Sequence, residues 1–221
     1  LMQLFILIRK ELQIEIRAKD TILSMLLFGV SIILLFSFAF PLNKQITTSI
    51  LPGLVWITIL FIFSIVLYRN FSREKEMMGI NMLLVAPLDR GLIFTAKLIT
   101  FIIFLLIAEV VLFTLFAFLM DFQGPSYLQF WGLSFLVNWA ISSIGVLVTG
   151  IGFKSQLGEV LTSLLLFPFS VPVMIGAIKS TSFILNNSEL NEFSNWIMIT
   201  FTFAVCFSLA GLFLYDYILE D

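Results

Sequence analysis

The chain contains no histidine and a single cysteine, and only 12% of its 221 residues carry a charge. Without histidine it lacks the commonest metal ligand and the commonest general base. Cys206 stands alone inside an apolar run, so it closes no intramolecular disulfide and says nothing about redox compartment. No metal-binding cluster and no nucleophile–base pair can be assembled from these residues, and neither intrinsic catalysis nor a metal site is expected. A dense basic face is also missing. Twelve Lys and Arg stand against 14 Asp and Glu, and they are segregated along the chain. Nucleic acid is therefore not an expected partner. Nor is any polar stretch long enough to hold a separate soluble domain.

What the chain has in abundance is apolar. The hydrophobic fraction is 60%, with 26 Phe and a mean hydropathy of +1.10. A soluble protein of this size would expose far too much apolar surface at that composition. The expected fold class is an all-α integral membrane protein, a single membrane domain over 1–221 embedded in the lipid bilayer. Apolar runs near 22–40, 51–68, 98–119, 128–151, 160–178 and 196–215 predict six transmembrane helices. Each is long enough to cross about 30 Å of hydrocarbon at about 1.5 Å per residue. No small-residue cleavage site follows the first run, so that run is expected to stay as a span rather than serve as a signal peptide.

Charge sorting orients these spans. Arg9, Lys10, Arg17 and Lys19 precede the first span, and Arg69, Arg73, Lys75, Arg90 and Lys97 separate the second from the third. Lys154 separates the fourth from the fifth, and only Lys44 and Lys179 fall on the other side. The positive-inside tendency places both termini in the cytoplasm.

Residues 1–20 read as an amphipathic helix. Leu1, Leu4, Phe5, Ile8, Leu12 and Ile16 recur at helical spacing, with Arg9, Gln13, Arg17 and Lys19 over much of the rest. Such a helix lies in the cytoplasmic interface, the alternative being a plain extension of the first span. The second span opens with Leu51-Pro52-Gly53, which puts Pro52 in a first helical turn and suits Trp56 to an interfacial position.

The one sizeable cytoplasmic loop covers 69–97. Ser72 and the charged turn Arg73-Glu74-Lys75-Glu76 predict a helix start, Met77, Ile80, Leu83 and Leu84 share a face, and Pro87 ends the run. A short helix with a charged front and an apolar flank fits a groove on another protein. An ordinary solvated loop is the other reading.

Three intramembrane features remain. Glu109 lies near the middle of the third span with no Lys or Arg at its depth. An unpartnered carboxylate there is costly, so Glu109 either takes a proton or bonds Asn138, Ser142 or Ser143 of the fourth span or a group from another subunit. Ser142, Gly145, Thr149 and Gly152 form a small-residue stripe, and Thr200, Ala204, Ser208 and Gly211 a second. Both favour close helix packing, within one chain or between two copies. Pro168 and Pro172 each remove a backbone donor, which predicts a kink or break in the fifth span. After that span the reading places the longest outer loop at about 179–195, with a short helix at its apolar start.

An interfacial N-terminal helix, six spans and a charged loop between the second and third resemble the membrane subunit of ABC-2 type exporters. More narrowly, the chain resembles the haem exporter protein B family, the CcmB-type permease of System I cytochrome c maturation. The matching elements are Arg9-Lys10-Glu11-Leu12, Pro52-Gly53-Leu54-Val55-Trp56, the Arg73 to Pro87 loop ending Met82-Leu83-Leu84-Val85-Ala86-Pro87, Ala96-Lys97, and Leu166-Phe167-Pro168-Phe169-Ser170-Val171-Pro172. They follow in the right order over nearly the whole chain. Two features depart from the family pattern: Glu109, and Gly79-Ile80-Asn81 where the resemblance implies Gly-Ser-Leu-Glu.

The resemblance implies ABC-2 type permease architecture in the bacterial cytoplasmic (inner) membrane. It implies a cytoplasmic ABC ATPase subunit that binds ATP and contacts Arg73, Glu74, Lys75, Glu76, Leu83 and Pro87. It further implies a haem-handling membrane partner and a periplasmic haem chaperone, with haem as the substrate of the complex and a second copy of the chain as a further possible neighbour. With no histidine for haem iron, an energy-coupling role with haem held by partners is the expectation. An ABC-2 permease exporting a lipid-linked glycan or a drug is the runner-up. An ion-driven transporter or passive scaffold is a third reading, although a proton-coupled transporter should carry several intramembrane ionisable groups.

Overall fold

The structure, a computed structural model, describes residues 2–40, 44–76, 89–124, 127–153, 157–186 and 190–220. Seven helices account for nearly all of them: α1 (Met2–Arg17), α2 (Lys19–Ala39), α3 (Lys44–Glu76), α4 (Arg90–Met120), α5 (Leu128–Phe153), α6 (Gly158–Asn186) and α7 (Leu190–Glu220). From α2 onward, six are long and apolar enough to cross a membrane. The expected fold class holds, with an all-helical chain of one amphipathic helix and six spans.

The helices outrun the hydropathy. α4 begins at Arg90, where the expected span began at 98, because the Asp89 carboxylate accepts from the Gly91 amide at 2.8 Å and caps it. α6 runs to Asn186 and α7 starts at Leu190, so most of the loop expected at 179–195 is helix. Apolar runs mark only the part of a helix that lies in hydrocarbon, whereas its backbone hydrogen bonds carry it on into the interface. For the same reason Pro52 sits two turns inside α3 and not in a first turn.

α5 is the hub. It packs on α7, α6, α4 and α3, while α2 leans on α3 and α4 at the edge. Tight approach follows from the small residues. A Cβ on Gly145 would meet the Phe63 ring and Leu67 of α3 at 2.6–2.7 Å, and one on Gly152 would collide with the Thr162 hydroxyl. Ser142 is buried, and the Thr149 hydroxyl turns back to the Gly145 carbonyl at 2.7 Å. In the second stripe Gly211 abuts Phe94, and Ser208 accepts from Trp139 Nε1 at 2.8 Å. Both stripes therefore serve packing within one chain. Gly145→Val is expected to lower stability by about 1–3 kcal/mol through overpacking. Gly132→Ala, whose added methyl meets nothing within 4 Å, should not lower stability and should raise it by up to about 1 kcal/mol; detergent unfolding midpoints check both.

Trp56 is not interfacial in the sense expected. It is fully buried, donating from Nε1 to the Thr181 hydroxyl at 2.7 Å, beside Phe113 and Phe130 with ring centroids 6.5 and 6.1 Å away. Of the kink or break expected at Pro168 and Pro172, the break does not occur: α6 stays helical through both. Packing holds it on each side: Phe167 lies 5.5 Å from Phe61 and Phe169 5.5 Å from Phe207, and Val173 and Ala177 are buried. These contacts override the local preference of proline.

Candidate functional site: an ionic clamp at one end of the bundle

α1 turns its acids inward. Leu7, Glu11 and Glu15, spaced four apart, are its buried residues, while Met2, Phe5, Ile6 and Ile16 are exposed. A helix whose apolar residues face outward and whose buried stripe is acidic suits the membrane interface, where lipid covers the apolar side and the protein must supply cations to the other. Ala18 is the one-residue joint to α2; its amide donates to the Ile14 carbonyl at 3.1 Å and its carbonyl accepts from Thr21 at 2.9 Å.

Those cations come from both sides of the charged loop. Glu15, with no exposed surface, accepts from Arg73 Nη2 at 2.9 Å and from Asn70 Nδ2 at 2.7 Å, both on α3. A second guanidinium nitrogen of Arg73 donates to the Ile14 carbonyl at 3.4 Å. Lys97, on α4, lies between two acids: it pairs with Glu74 of α3, and Glu11 stands 3.7 Å away. Glu11 also takes a bond from Lys10 at 3.1 Å. Burial pushes the Glu11 carboxyl up, but the Lys97 and Lys10 ammonium groups overcome this and hold it below the usual carboxylate range. One interfacial helix thus ties the end of α3 to the beginning of α4. At the same end, Arg90 donates to the Asp216 carbonyl at 3.0 Å, which joins α4 to the end of α7.

The loop residues expected to share one docking face separate here. Arg73 and Glu74 point inward into the clamp. Lys75 and Glu76 are exposed, with Lys75 Nζ 5.8 Å from the centre of the Phe71 ring. Leu83 and Pro87, with Met77, Ile80 and Leu84, lie outside the described residues. In the sequence Lys97 bears only on topology and on the family resemblance. Its signal in the sequence was Glu11 and Glu15 on one side of α1, too far along the chain to be paired with it by spacing alone.

Glu109 is fully buried and accepts from Ser134 and, at 2.8 Å, from Asn138 Nδ2 of α5. Asn138 was among the partners expected. Ser134, one helical turn before it, takes the place of Ser142 and Ser143, because α4 and α5 meet around the turn holding both residues. Glu109 Oε1 and Asn138 Oδ1 have no hydrogen-bond partner among the described residues.

The same end of the bundle holds a cleft of about 1350 Å³ between α1, α2 and α3. The described residues contain no group of three or more His, Cys, Asp or Glu placed to hold a metal ion.

No curated protein matches this chain. A family model described as CcmB protein matches residues 2–215, nearly its full length, and with it the six apolar helices and the elements singled out in the sequence. The chain belongs to the CcmB family: it is a multi-pass membrane component of the haem transport machinery of cytochrome c maturation, and so a membrane subunit of an ABC transporter complex.

Proposed function

We propose that the chain takes up mechanical work at its charged loop from a separate cytoplasmic ABC ATPase, and that this work is linked to release of a haem-loaded periplasmic chaperone. The ATPase binds and hydrolyses ATP, and a haem-handling membrane protein and the chaperone hold the haem. Both termini then face the cytoplasm of a bacterial inner membrane.

The observation that carries this reading is the clamp. Glu15 of α1 holds Arg73 and Asn70 on the near side of the loop, and Lys97 on the far side is shared between Glu11 of α1 and Glu74 of α3, so two sets of buried ion pairs and hydrogen bonds join the three helices. A push on the loop therefore moves α1, α3 and α4 together and is not absorbed as local bending. Lys75 and Glu76 are the charges this arrangement leaves free to meet the ATPase. Arg73 and Glu74 anchor the loop to the bundle, and Leu83 and Pro87 belong to the segment that would fill the partner's groove.

Reversing both exposed charges, Lys75→Glu with Glu76→Lys, tests the reading. Like charges brought together at an interface cost several kcal/mol, so holocytochrome c should fall about tenfold or more while the chain still inserts. Haem-stained gels and an immunoblot of the membrane fraction read the two quantities. Normal holocytochrome c with the double variant, or accessibility of Glu76 only from outside the cell, would count against it.

A further inference from the structure

The cleft between α1, α2 and α3 has two tiers. Its mouth is polar, with Lys10, Arg17, Asp20, Arg69 and Arg73 around it. Its inner part runs along α2, where Thr21, Ser24 and Phe28 line it at successive turns over about 10 Å, and there Phe28 and Ile65 give it apolar walls among hydroxyl side chains. Phe28 is held from behind by aromatic packing: its ring centroid lies 6.2 Å from that of Phe61, which lies 5.5 Å from that of Phe167.

The charges at the mouth do not balance. Arg73 is committed to Glu15 and Lys10 to Glu11. Arg69 is half-buried, and among the described residues its guanidinium donates only to the Ser24 hydroxyl, at 2.7 Å. Among the described residues no carboxylate stands within ion-pair distance of Arg69 or Arg17, and Asp20 is the one lining acid outside the clamp. Residues 77–88, the nearest segment along the chain, contain no charged residue at all. A partly desolvated guanidinium without an anion is costly, and a planar donor of this kind is matched by a phosphate.

We propose that this cleft binds one anionic phospholipid from the leaflet in which α1 lies. Arg69 and Arg17 hold its phosphate, Ser24 keeps the Arg69 guanidinium aimed at it, and an acyl chain runs inward past Ile65 and Phe28. The volume exceeds what a free phosphate needs and accommodates a headgroup with the first part of a chain. The lipid fills the space between α1, α2 and α3 that reaches Ser163 of α6. The inference goes beyond ATP coupling and does not depend on it.

Native mass spectrometry of the full chain, released from micelles doped with phosphatidylglycerol or phosphatidylcholine, tests it. Each cation near a lipid surface contributes about 1 kcal/mol, so with Arg69 and Arg17 together phosphatidylglycerol should be retained about thirtyfold more tightly, and Arg69→Gln should reduce that preference about fivefold. Arg17→Gln, at an exposed position where no fold defect is expected, should act in the same direction. Lys179→Gln, near the far end of α6, should change nothing. Equal retention of the two lipids would overturn the proposal, as would an undiminished preference in both arginine variants. So would displacement of phosphatidylglycerol by inorganic phosphate alone, which would mark a simple anion site.

Discussion

Lys97→Met is expected to destabilise the folded chain by about 3–5 kcal/mol, the range for removing one partner of a buried ion pair. Lys97 and Glu11 expose only 4% of their side chains and Glu74 14%, so water cannot take over the lost cation's role. Two carboxylates would remain facing each other in a space built for a charge between them. The loss should fall first on α1, whose buried face consists of Leu7, Glu11 and Glu15 and has little apolar contact to fall back on. Unfolding midpoints in detergent would measure the effect, and limited proteolysis would show cleavage within the first 20 residues. Lys97→Arg keeps the charge and should retain much of the stability. Adding Glu11→Gln and Glu74→Gln to Lys97→Met should recover part of what the single change loses, because the harm lies in uncompensated charge rather than in lost volume. A Lys97→Met chain as stable as its parent would mean that the clamp contributes nothing.

Trp56→Ala should cost about 3 kcal/mol, the low end of the range for emptying a large aromatic site in a core. The low end is appropriate because a membrane helix separated from its neighbours is still surrounded by lipid, so the transfer term is small. What is lost is dispersion contact with Phe113 and Phe130 and the bond to Thr181. The Thr181 hydroxyl still donates to the Ala177 carbonyl at 2.8 Å, so no buried donor is orphaned. Trp56→Phe keeps much of the ring contact and should lose about half as much or less. Thermal unfolding of the purified chain in one detergent separates the two variants, and equal midpoints for Trp56→Ala and its parent would show that Trp56 does not hold α3 to α4, α5 and α6.

The corrections share one cause. Hydropathy and local preference read each residue by itself, and so they placed Trp56 at an interface, gave Pro168 and Pro172 a kink or break and ended the fifth span at 178. The structure places Trp56 where a threonine on another helix meets its indole, and runs α6 helically through both prolines where packed rings flank them. In α1 the spacing correctly gave an amphipathic helix, yet the residues it buries in protein are two acids and Leu7. Spacing reveals that a helix has two faces. Which face meets protein depends on what stands opposite, and Arg73 and Lys97 stand opposite Glu15 and Glu11 only after α3 and α4 have packed.

By itself, then, the sequence determined the membrane class, the number of spans and the family. All three follow from properties summed over many residues, namely apolar run length, charge distribution and motif order, which no single contact can reverse. Only the tertiary structure decided which charges bind one another, that both small-residue stripes serve packing within the chain, and that Ser134 joins Asn138 at Glu109. Each of these is a pairing between residues distant in sequence, and its energy depends on distance and burial, which exist only once the helices have come together.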